Sequence, residues 1–451
     1  MNIALIVPEF LSGSSFLQPP LDLLYCAARL KKSGFGVVTI DCRAKSIPYT
    51  ILNKMLEQID IVIITTSPYD QVQNYFVDYR FQNAVRTINY IKSLNEQRFV
   101  IVCGSHGTVR PDIILRDTYA DIVVRGEYER TLEKLVEAIA NKSNFGSIPN
   151  IVYRTINGSV RTMEDVNTYH ISDFGSIFPD YDQIDFSEYY GDKYINNQPV
   201  KQKNWGVIQA SRGCPYNCTF CYNFWGRKVR KRNPDSIVEE LEILEKKYGV
   251  NHVFFIDFTF TLDYDWVSNI CKRIRKKDLG IKWTVETRCD LLNNEILFDM
   301  KSANCEQIWL GVESFSNEIV RSTRKYTCAD LSIQAIKSVI NSGIDPSVFI
   351  MLGLPGESVT TINQTIMHLH NLKVPYTKSI IISTPRFGTD YYTLAKKQFP
   401  FLGETFQDLD AVKGLVANDM APHYLIETVS LMKNRKFVFN ETCPQINSNQ
   451  R

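Results

Sequence analysis

The sequence predicts an α/β protein with two parallel-sheet domains, a flavodoxin-like doubly wound domain and then a partial (β/α)6 TIM-like barrel, followed by a small C-terminal region. Three observations predict this fold. Short apolar runs alternate with helical patterns over the first 140 residues, and the same alternation returns at a larger scale from Trp205. A loop with three cysteines follows the first strand of that second series.

The predicted strands of the N-terminal domain are short and continuously apolar, at 3–7, 37–40, 59–65, 99–103 and 122–124. Helical periodicity separates them, in the stretch LDLLYCAARLKKSG that ends at Gly34 and over 81–94 and 129–139. Strands without polar alternation are typical of a parallel sheet that helices cover on both faces. Ligands of such domains bind beyond the carboxyl ends of the strands.

A segment of different composition precedes the second series. Residues 142–204 contain an Asn157-Gly158 hairpin signal and the aromatic, acidic stretch FPDYDQIDFSEYYGDKY, and we expect this segment to lie across the domain junction. Strands are then predicted at 206–210, 252–256, 282–286, 307–310, 347–351 and 379–382, with helices such as 234–247 and 329–342. Six such units are too few for a closed eight-stranded barrel but fit a partial one. We therefore predict domains at 1–141 and 205–388, a linker at 142–204 and a C-terminal extension without clear periodicity at 389–451.

Composition excludes several classes of protein. The net charge of +2 is too small to indicate a nucleic-acid partner or an anionic membrane surface. No run approaches the roughly 18 apolar residues of a membrane span, and the N-terminal MNIALIVPEF, which lacks a basic n-region, indicates a buried strand instead of a signal peptide. We expect a cytoplasmic protein whose 11 cysteines are thiols, ligands or core residues.

The stretch RGCPYNCTFCYNFWG gathers three cysteines, Cys214, Cys218 and Cys221, at a C-x3-C-x2-C spacing. Three thiolates in one loop suit a soft metal centre. Zinc usually takes four ligands, commonly from paired C-x2-C knuckles, and the sequence has no second knuckle. Three cysteines would leave one iron of a [4Fe–4S] cluster open for another ligand. A zinc loop or a chance grouping is the alternative.

This loop resembles the cysteine motif of the radical S-adenosylmethionine (SAM) enzymes. In that family three thiolates bind three irons, SAM chelates the fourth iron through its amino and carboxylate groups, and reductive cleavage releases a 5′-deoxyadenosyl radical. The resemblance implies that Cys214, Cys218 and Cys221 are the metal ligands of the catalytic centre. It also implies that Phe220, just before the third cysteine, packs near the adenine.

The resemblance continues on the next strands and implies polar contacts to SAM. Asp257 in HVFFIDFTFTLDYDW would hold the methionyl amino group, and its alternative role is that of an acid at a helix N-terminus. Glu286 and Arg288 in VETRCD would contact the ribose and the methionyl carboxylate. Residues two apart on a strand share a face, and the alternative is that this acid and this cation form a structural ion pair. Glu313 in LGVES would make a further polar contact.

Two later segments complete the likeness to the radical SAM barrel. In FIMLGLPGES, Gly353 and Gly356 would let the backbone approach the adenine closely, or would form a turn without ligand contact. The segment STPRFGTDYY is similar to the sixth strand region that closes the partial barrel.

The N-terminal domain resembles the cobalamin-binding domain that is fused to many radical SAM enzymes. The stretches PPLDLLYCAARLKKSGFGVVTID, CGSHGTVRPDIIL and VVRGEYERTLEKL carry this resemblance. Small residues at the strand ends leave room for a flat macrocycle, and backbone N–H groups there can meet amides or phosphate. The resemblance implies cobalamin contacts at Ser67, Tyr69, Gly104, Ser105, His106, Gly107, Gly126 and Glu127.

The lower ligand of the cobalt is where this domain departs from its relatives. The Asp-x-His-x-x-Gly signature of histidine-ligated cobalamin domains is absent, and His106 is the only histidine of the domain. We interpret His106 as a loop residue near the corrin and predict cobalamin without a protein histidine on cobalt.

The resemblance spans roughly residues 1–390 and implies three cofactors: a [4Fe–4S] cluster, SAM and cobalamin. The implied reaction is methylation of an unactivated carbon through methylcobalamin and the 5′-deoxyadenosyl radical. The alternative is a non-methylating radical reaction, such as cyclisation, ring contraction or carbon–carbon coupling. A protein that only binds cobalamin is a third hypothesis, against which the intact cysteine motif argues. Expected partners are a small-molecule, lipid or peptide substrate and an external electron donor such as flavodoxin or ferredoxin.

Overall fold

The computed structural model describes residues 1–9, 17–68, 78–155, 160–163, 170–171, 174–195, 198–372, 376–416, 420 and 422–433. Its described part contains two large sheets, of seven and six strands, and two small two-stranded sheets. The predicted mixed α/β architecture with two parallel sheets is confirmed.

The strands of the first large sheet are β1 (Asn2–Val7), β2 (Gly36–Asp41), β3 (Ile61–Thr65), β4 (Phe99–Cys103), β5 (Ile122–Val124), β6 (Ile151–Arg154) and β7 (Val160–Met163). They lie in the order β2-β1-β3-β4-β5-β6-β7, and the first five are parallel. The order 2-1-3-4-5 is that of flavodoxin-like domains. The antiparallel hairpin of β6 and β7 extends this sheet, although the sequence placed it in the linker. Its predicted Asn157-Gly158 turn lies outside the described residues.

The helices of the first domain are α1 (Leu21–Lys32), α2 (Tyr49–Met55), α3 (Asp78–Leu94), α4 (Ser105–Val109), α5 (Pro111–Asp117) and α6 (Glu129–Ala140). The strand side chains from Ile3 to Val7 are fully buried, as the continuous apolar runs predict. Gly34 follows α1 with φ at +88°, in the left-handed region where helices commonly end on glycine.

The segment after β7 contacts both domains. It contains two 3₁₀ turns, Tyr181–Gln183 and Phe186–Glu188, and a hairpin of β8 (Tyr190–Ile195) and β9 (Gln198–Lys203). The hydroxyl of Tyr189 donates to Asp41 on β2 at 3.2 Å. The hydroxyl of Tyr181 donates to Glu240 in the second domain at 2.6 Å. The segment thus contacts β2 through Tyr189 and the second domain through Tyr181.

The strands of the second large sheet are β10 (Trp205–Ile208), β13 (His252–Phe255), β14 (Lys282–Arg288), β15 (Cys305–Glu313), β16 (Asp345–Leu352) and β17 (Tyr376–Ile382). All are parallel and follow one another in chain order across the sheet, which confirms the partial barrel. Its helices are α7 (Pro234–Tyr248), α8 (Tyr264–Lys276), α9 (Asn294–Ser302), α10 (Asn317–Ser322), α11 (Ala329–Asn341) and α12 (Val359–Asn371). A small sheet of β11 (Ser211–Arg212) and β12 (Arg230–Lys231) flanks the cysteine loop.

The C-terminal region forms three helices, α13 (Asp390–Gln398), α14 (Gln407–Ala411) and α15 (Pro422–Lys433), for which the sequence showed no clear period. Helix α15 packs against β17. Between α14 and α15, the Gly414 amide donates to the Ser383 carbonyl, directly after β17, at 2.8 Å. Within the described residues, no helix combines the length and apolar character that a bilayer crossing requires.

Candidate active site

The cysteine loop leaves the carboxyl end of the first barrel strand and is tied down at several points. The Cys214 amide donates to the Gly226 carbonyl at 3.0 Å, which closes the loop at its base. In its middle, the Thr219 amide donates to the Thr323 carbonyl at 2.9 Å. Gly213 has φ at +96°, and a Cβ there would overlap the backbone of a facing residue, so the turn into the loop requires glycine.

The three thiols lie close enough to interact electrostatically and are all half-buried. Burial, together with the neighbouring Cys218 and Cys214 thiols, raises the pKa of Cys221 to about 12. Burial likewise raises the pKa of Cys218, while the Lys325 and Arg288 cations oppose this rise. Thiolates in this loop therefore depend on positive charge beside them, which a bound metal centre adds to the cations already present.

The three thiols of the loop match the donor set of an iron–sulfur cluster with one open iron. Zinc requires its sulfur ligands to converge at about 2.3 Å from one point. Three thiolates that each bind a different iron need not converge, so the donor set fits a [4Fe–4S] cluster.

A buried ion pair lies beside the loop. The Lys325 ammonium is 2.9 Å from the Glu313 carboxylate, and both residues are at least nine-tenths buried. Burial tends to lower the pKa of Lys325, but Glu313 and the nearby Cys218 thiol outweigh this effect and raise it. The sequence identified Glu313, which has a positive φ of +65° at the end of β15, but missed Lys325.

Arg288 joins this group from β14. Its guanidinium forms an ion pair with Asp290 at 2.8 Å and donates to the Lys325 carbonyl at 2.5 Å. It also lies 3.7 Å from the ring centre of Tyr216, inside the cysteine loop, a distance at which cation–π attraction operates. Glu286 lies half-buried on the same strand, two residues earlier. The structure therefore places Arg288 and Glu313 beside the loop, and their contacts to SAM stay a prediction.

Asp257 lies at the base of the loop and is fully buried. Its carboxylate accepts hydrogen bonds from the Ala210 amide at 3.0 Å and from the Ser211 hydroxyl. Burial raises the pKa of Asp257 to about 6, although these hydrogen bonds act in the opposite direction. Both carboxylate oxygens thus hold the chain just before the cysteines. A contact from Asp257 to SAM stays a prediction.

The two predicted glycines of the fifth strand region have different surroundings. A Cβ on Gly353, where φ is +77°, would lie 2.6 Å from the Gly414 Cα, so protein backbone fills that side. A Cβ on Gly356, where φ is +83°, would meet only the Ile319 side chain at 3.9 Å. The turn is shaped by Glu357, which the sequence analysis missed and which accepts hydrogen bonds from the Gly353 and Leu354 amides. Close approach of adenine therefore remains a prediction for Gly356 alone.

Phe220 contacts a small apolar cluster apart from the main core. The cluster contains Ile319, Met351 and Leu354, with Phe220 and Ile381 partly buried against it. The predicted aromatic residue before the third cysteine therefore lies on an apolar surface that includes the end of β16.

In the first domain, the turn after β4 is closely packed. The Ser105 amide donates to the Ser67 hydroxyl at 2.7 Å, which joins the ends of β3 and β4. Gly104 has φ at +102°, and a Cβ on Gly107 would lie 2.7 Å from a Val123 methyl group. The Gly126 amide donates to Thr108 at 3.0 Å. These predicted residues thus lie together, while Tyr69 is outside the described part of the chain.

His106 is fully buried between aromatic rings of two regions. Its ring centre is 5.6 Å from that of Phe81 in a stacked arrangement and 4.7 Å from that of Phe406, edge to face. Phe406 precedes α14 and also contacts Phe387, after β17, at 5.5 Å. These four side chains, hereafter the aromatic cluster, link the carboxyl ends of β4 and β17.

Glu127, predicted to contact cobalamin, is engaged by the second domain. Its carboxylate accepts hydrogen bonds from Arg212 at 2.8 Å, from Arg230 and from the Ile171 amide at 2.9 Å. His170 lies 3.2 Å away. Burial would raise the pKa of Glu127, but Arg212, His170 and Arg230 together lower it to about 2. Both of its oxygens have protein partners, so a corrin contact would have to displace one of them.

Comparison with known proteins identifies the second domain. Residues 208–369 match the radical SAM superfamily. This part of the chain is a radical SAM domain. The match covers the cysteine loop, the four strands β13 to β16 and the helices between them, so the predicted radical SAM enzyme is confirmed at the level of the superfamily.

Relatives extend over both domains. The chain is 29% identical over 413 residues to an uncharacterized methyltransferase, PH0819, of Pyrococcus horikoshii, covering 88% of this chain and 83% of that protein. It is 27% identical to an anaerobic magnesium-protoporphyrin IX monomethyl ester cyclase of Rubrivivax gelatinosus, covering 81% of this chain but only 65% of the cyclase.

Solved structures share the fold of the radical SAM domain and of the domain before it. The radical SAM methyltransferase TsrM of Kitasatospora setae, with cobalamin and a [4Fe–4S] cluster bound, superposes with a TM-score of 0.70 at 20% identity. The match covers 88% of this chain and 75% of TsrM. It shows that the two chains have a common two-domain architecture.

Proposed function

We propose that this protein is a cobalamin-dependent radical SAM enzyme that methylates an unactivated carbon of its substrate. The observation that carries the proposal is the meeting of strand ends from two sheets. The cysteine loop after β10 is bound to Glu127 after β5, and the aromatic cluster joins the end of β4 to that of β17. A cofactor at the carboxyl edge of the first sheet would therefore lie close to the cysteine loop.

The residues around the loop suit a cluster and SAM. When bound, the [4Fe–4S] cluster, SAM and cobalamin supply the electron, the 5′-deoxyadenosyl radical and the methyl group. Cys214, Cys218 and Cys221 would bind iron as thiolates, and the adjacent Lys325 and Arg288 cations lower the free energy of these charges. The same two cations are the groups beside the loop that fit a SAM carboxylate.

Apolar and small residues would receive the adenine. Phe220 with Ile319, Met351 and Leu354 offers an apolar surface next to the cysteines, and the open side of Gly356 faces Ile319. A flat base on this surface removes apolar area from water and keeps solvent away from the reacting centre.

An anaerobic assay with matched variants tests the proposal. Reconstituted protein with cobalamin, dithionite and a candidate substrate should form 5′-deoxyadenosine and S-adenosylhomocysteine from SAM, with the methyl group transferred to the substrate. Cys218→Ala should lose iron and 5′-deoxyadenosine, whereas Cys328→Ala, at an equally half-buried cysteine outside the loop, should keep both. Persistence of 5′-deoxyadenosine in the Cys218 variant would refute the cluster assignment.

A non-methylating radical reaction is the second candidate, and the cyclase relative favours it. The two products separate the candidates, because a methyl transfer yields both 5′-deoxyadenosine and S-adenosylhomocysteine, while a cyclisation yields only the former. A protein that binds cobalamin without catalysis would yield neither above background.

The electron donor is proposed to be an acidic protein of the flavodoxin or ferredoxin type. Arg227, Lys228 and Arg321 are exposed around the cysteine loop, and none of them forms an ion pair within the described residues. Charge reversal at Arg227 and Lys228 should slow reduction by the protein donor and leave reduction by dithionite unchanged. Equal effects on both rates would count against this surface.

A further inference from the structure

Arg212, two residues before the first cysteine, is the centre of a buried ionic cluster between the two domains. Its side chain is 1% exposed. One terminal nitrogen donates to Glu127 at 2.8 Å and the other to Glu129 at 2.6 Å. Its Nε donates to the Gln209 side chain at 2.8 Å. Each of the three nitrogens of this guanidinium therefore has an acceptor on one domain or the other.

Arg230 completes the cluster from the opposite side of the cysteine loop. It pairs with Arg212 across β11 and β12, and its guanidinium binds both oxygens of Glu127. It also donates to the Trp225 carbonyl, near the end of the loop, at 2.9 Å. The entry and the exit of the cysteine loop are thus held by the same carboxylate of the first domain.

Aromatic rings enclose Arg212 and fix the orientation of its plane. The guanidinium carbon lies 4.6 Å from the ring centre of Trp225 and 4.8 Å from that of Phe174. A planar, forked cation fits between rings and two carboxylates, whereas a lysine ammonium cannot form the same contacts.

The charges of the ionic cluster balance, which explains how it is tolerated at this depth of burial. Two guanidiniums face two carboxylates, and the Glu127 and Glu129 side chains are 0% and 3% exposed. A buried ion pair is seldom a better stabiliser than apolar packing, but it fixes geometry because an unpaired partner is strongly disfavoured. Such a cluster is suited to hold two bodies in one relative position.

We propose that Arg212 is a positioning residue that sets the place of the cysteine loop relative to the carboxyl edge of the first sheet. The significance for catalysis rests on the proposed function, since the [4Fe–4S] cluster would then lie at a fixed distance from the cobalamin. Glu127 and Glu129 belong to this device, and they act on the reaction through Arg212.

The first test needs no cofactor. Amide hydrogen exchange of residues 213–226 is measured by mass spectrometry in the cofactor-free full chain. Arg212→Lys and Glu129→Gln should speed exchange in this loop by about tenfold or more, because the loop opens without its clamp. Glu240→Gln is the matched control: Glu240 is as deeply buried, and its partners are Arg232 of the second domain and the Tyr181 hydroxyl. It should leave the loop unchanged.

The second test uses the loaded protein. Pulsed electron paramagnetic resonance measures the dipolar coupling between the reduced cluster and cob(II)alamin, which reports their separation. Glu129→Gln should retain its iron but broaden the distribution of separations. Glu240→Gln should also retain its iron and leave that distribution unchanged.

The outcomes separate the two proposals. Loop exchange that is equal in Glu129→Gln, Arg212→Lys and the control overturns the positioning role, even if the enzyme is active. If loop exchange is faster in the two variants but the wild type binds no [4Fe–4S] cluster or does not cleave SAM, the positioning role of Arg212 stands. The proposed function is then overturned instead. If Arg212→Lys does not fold, Glu129→Gln, which keeps a hydrogen-bond acceptor, decides the result.

Discussion

Replacing Phe406 by alanine tests whether the C-terminal region holds the two domains together. Phe406 is fully buried, and its ring contacts Phe81 and His106 of the first domain, each at 4.7 Å, and Phe387 of the barrel at 5.5 Å. The variant removes a ring that contacts rings from both domains.

The expected loss is large because several contacts end at once. Phe→Ala in a packed core destabilises by about 3–5 kcal/mol through lost burial and the cavity left behind. Edge-to-face pairs such as that with His106 contribute about 0.5–1.5 kcal/mol beyond burial. We therefore expect Phe406→Ala to lower the free energy of unfolding by about 4 kcal/mol.

Urea unfolding of the cofactor-free chain, followed by tryptophan fluorescence, measures this loss. Phe401→Ala is the control, since Phe401 is five residues away and 55% exposed. It should change stability by no more than about 0.5 kcal/mol. Equal losses in the two variants, or a loss below about 1 kcal/mol for Phe406→Ala, would refute the clamping role.

Three further predictions follow from the site. The pKa of Glu127 is lowered to about 2, so its charged form contributes about 3 kcal/mol to the free energy of unfolding. This contribution is complete above pH about 4.5 and is lost as the pH falls toward 2. Glu127→Gln should therefore flatten the acid side of the stability profile measured by urea unfolding, and an unchanged profile would contradict the assignment. Gly353→Ala should destabilise by about 1–3 kcal/mol more than Gly356→Ala, because only the former meets the Gly414 backbone, and equal midpoints would contradict this packing. The cob(II)alamin resonance should lack nitrogen coupling from protein imidazole, because His106 is enclosed by aromatic rings, and such coupling would place a histidine on cobalt.

The sequence predicted the fold well where local pattern and burial agree. The strand Phe99–Cys103 was predicted at its observed ends, since five apolar residues between helical patterns leave few alternatives. The observed order β2-β1-β3-β4-β5 agrees with the predicted flavodoxin-like class. The C-terminal helices were missed in part because they are short: α14 has five residues, and Tyr391 and Ala395 are the buried residues among the nine of α13, which leaves little period to read.

The site was predicted in part, for a related reason. The cysteine spacing is local and specific, whereas Lys325 reaches Glu313 from another loop and carries no motif. The sequence placed Glu127 at a strand end, as the structure does, but gave no sign of which side its carboxylate faces. The partner that decides this, Arg212, is 85 residues away in the chain.

The contact between the C-terminal region and β17 has a consequence for association. The strand order places β17 at one border of the six-stranded sheet, where its outer backbone groups could pair with another chain. Helix α15 packs against this strand, and the Gly414 amide binds the carbonyl that follows it. Helix α15 and the segment before it thus protect the border strand of the partial barrel. In a closed barrel the first and last strands pair with each other, so no border strand is left. A chain that ends before residue 402 lacks α14 and α15. It would expose the border strand β17 to pairing with other chains, and so to aggregation, even if every cofactor ligand were retained.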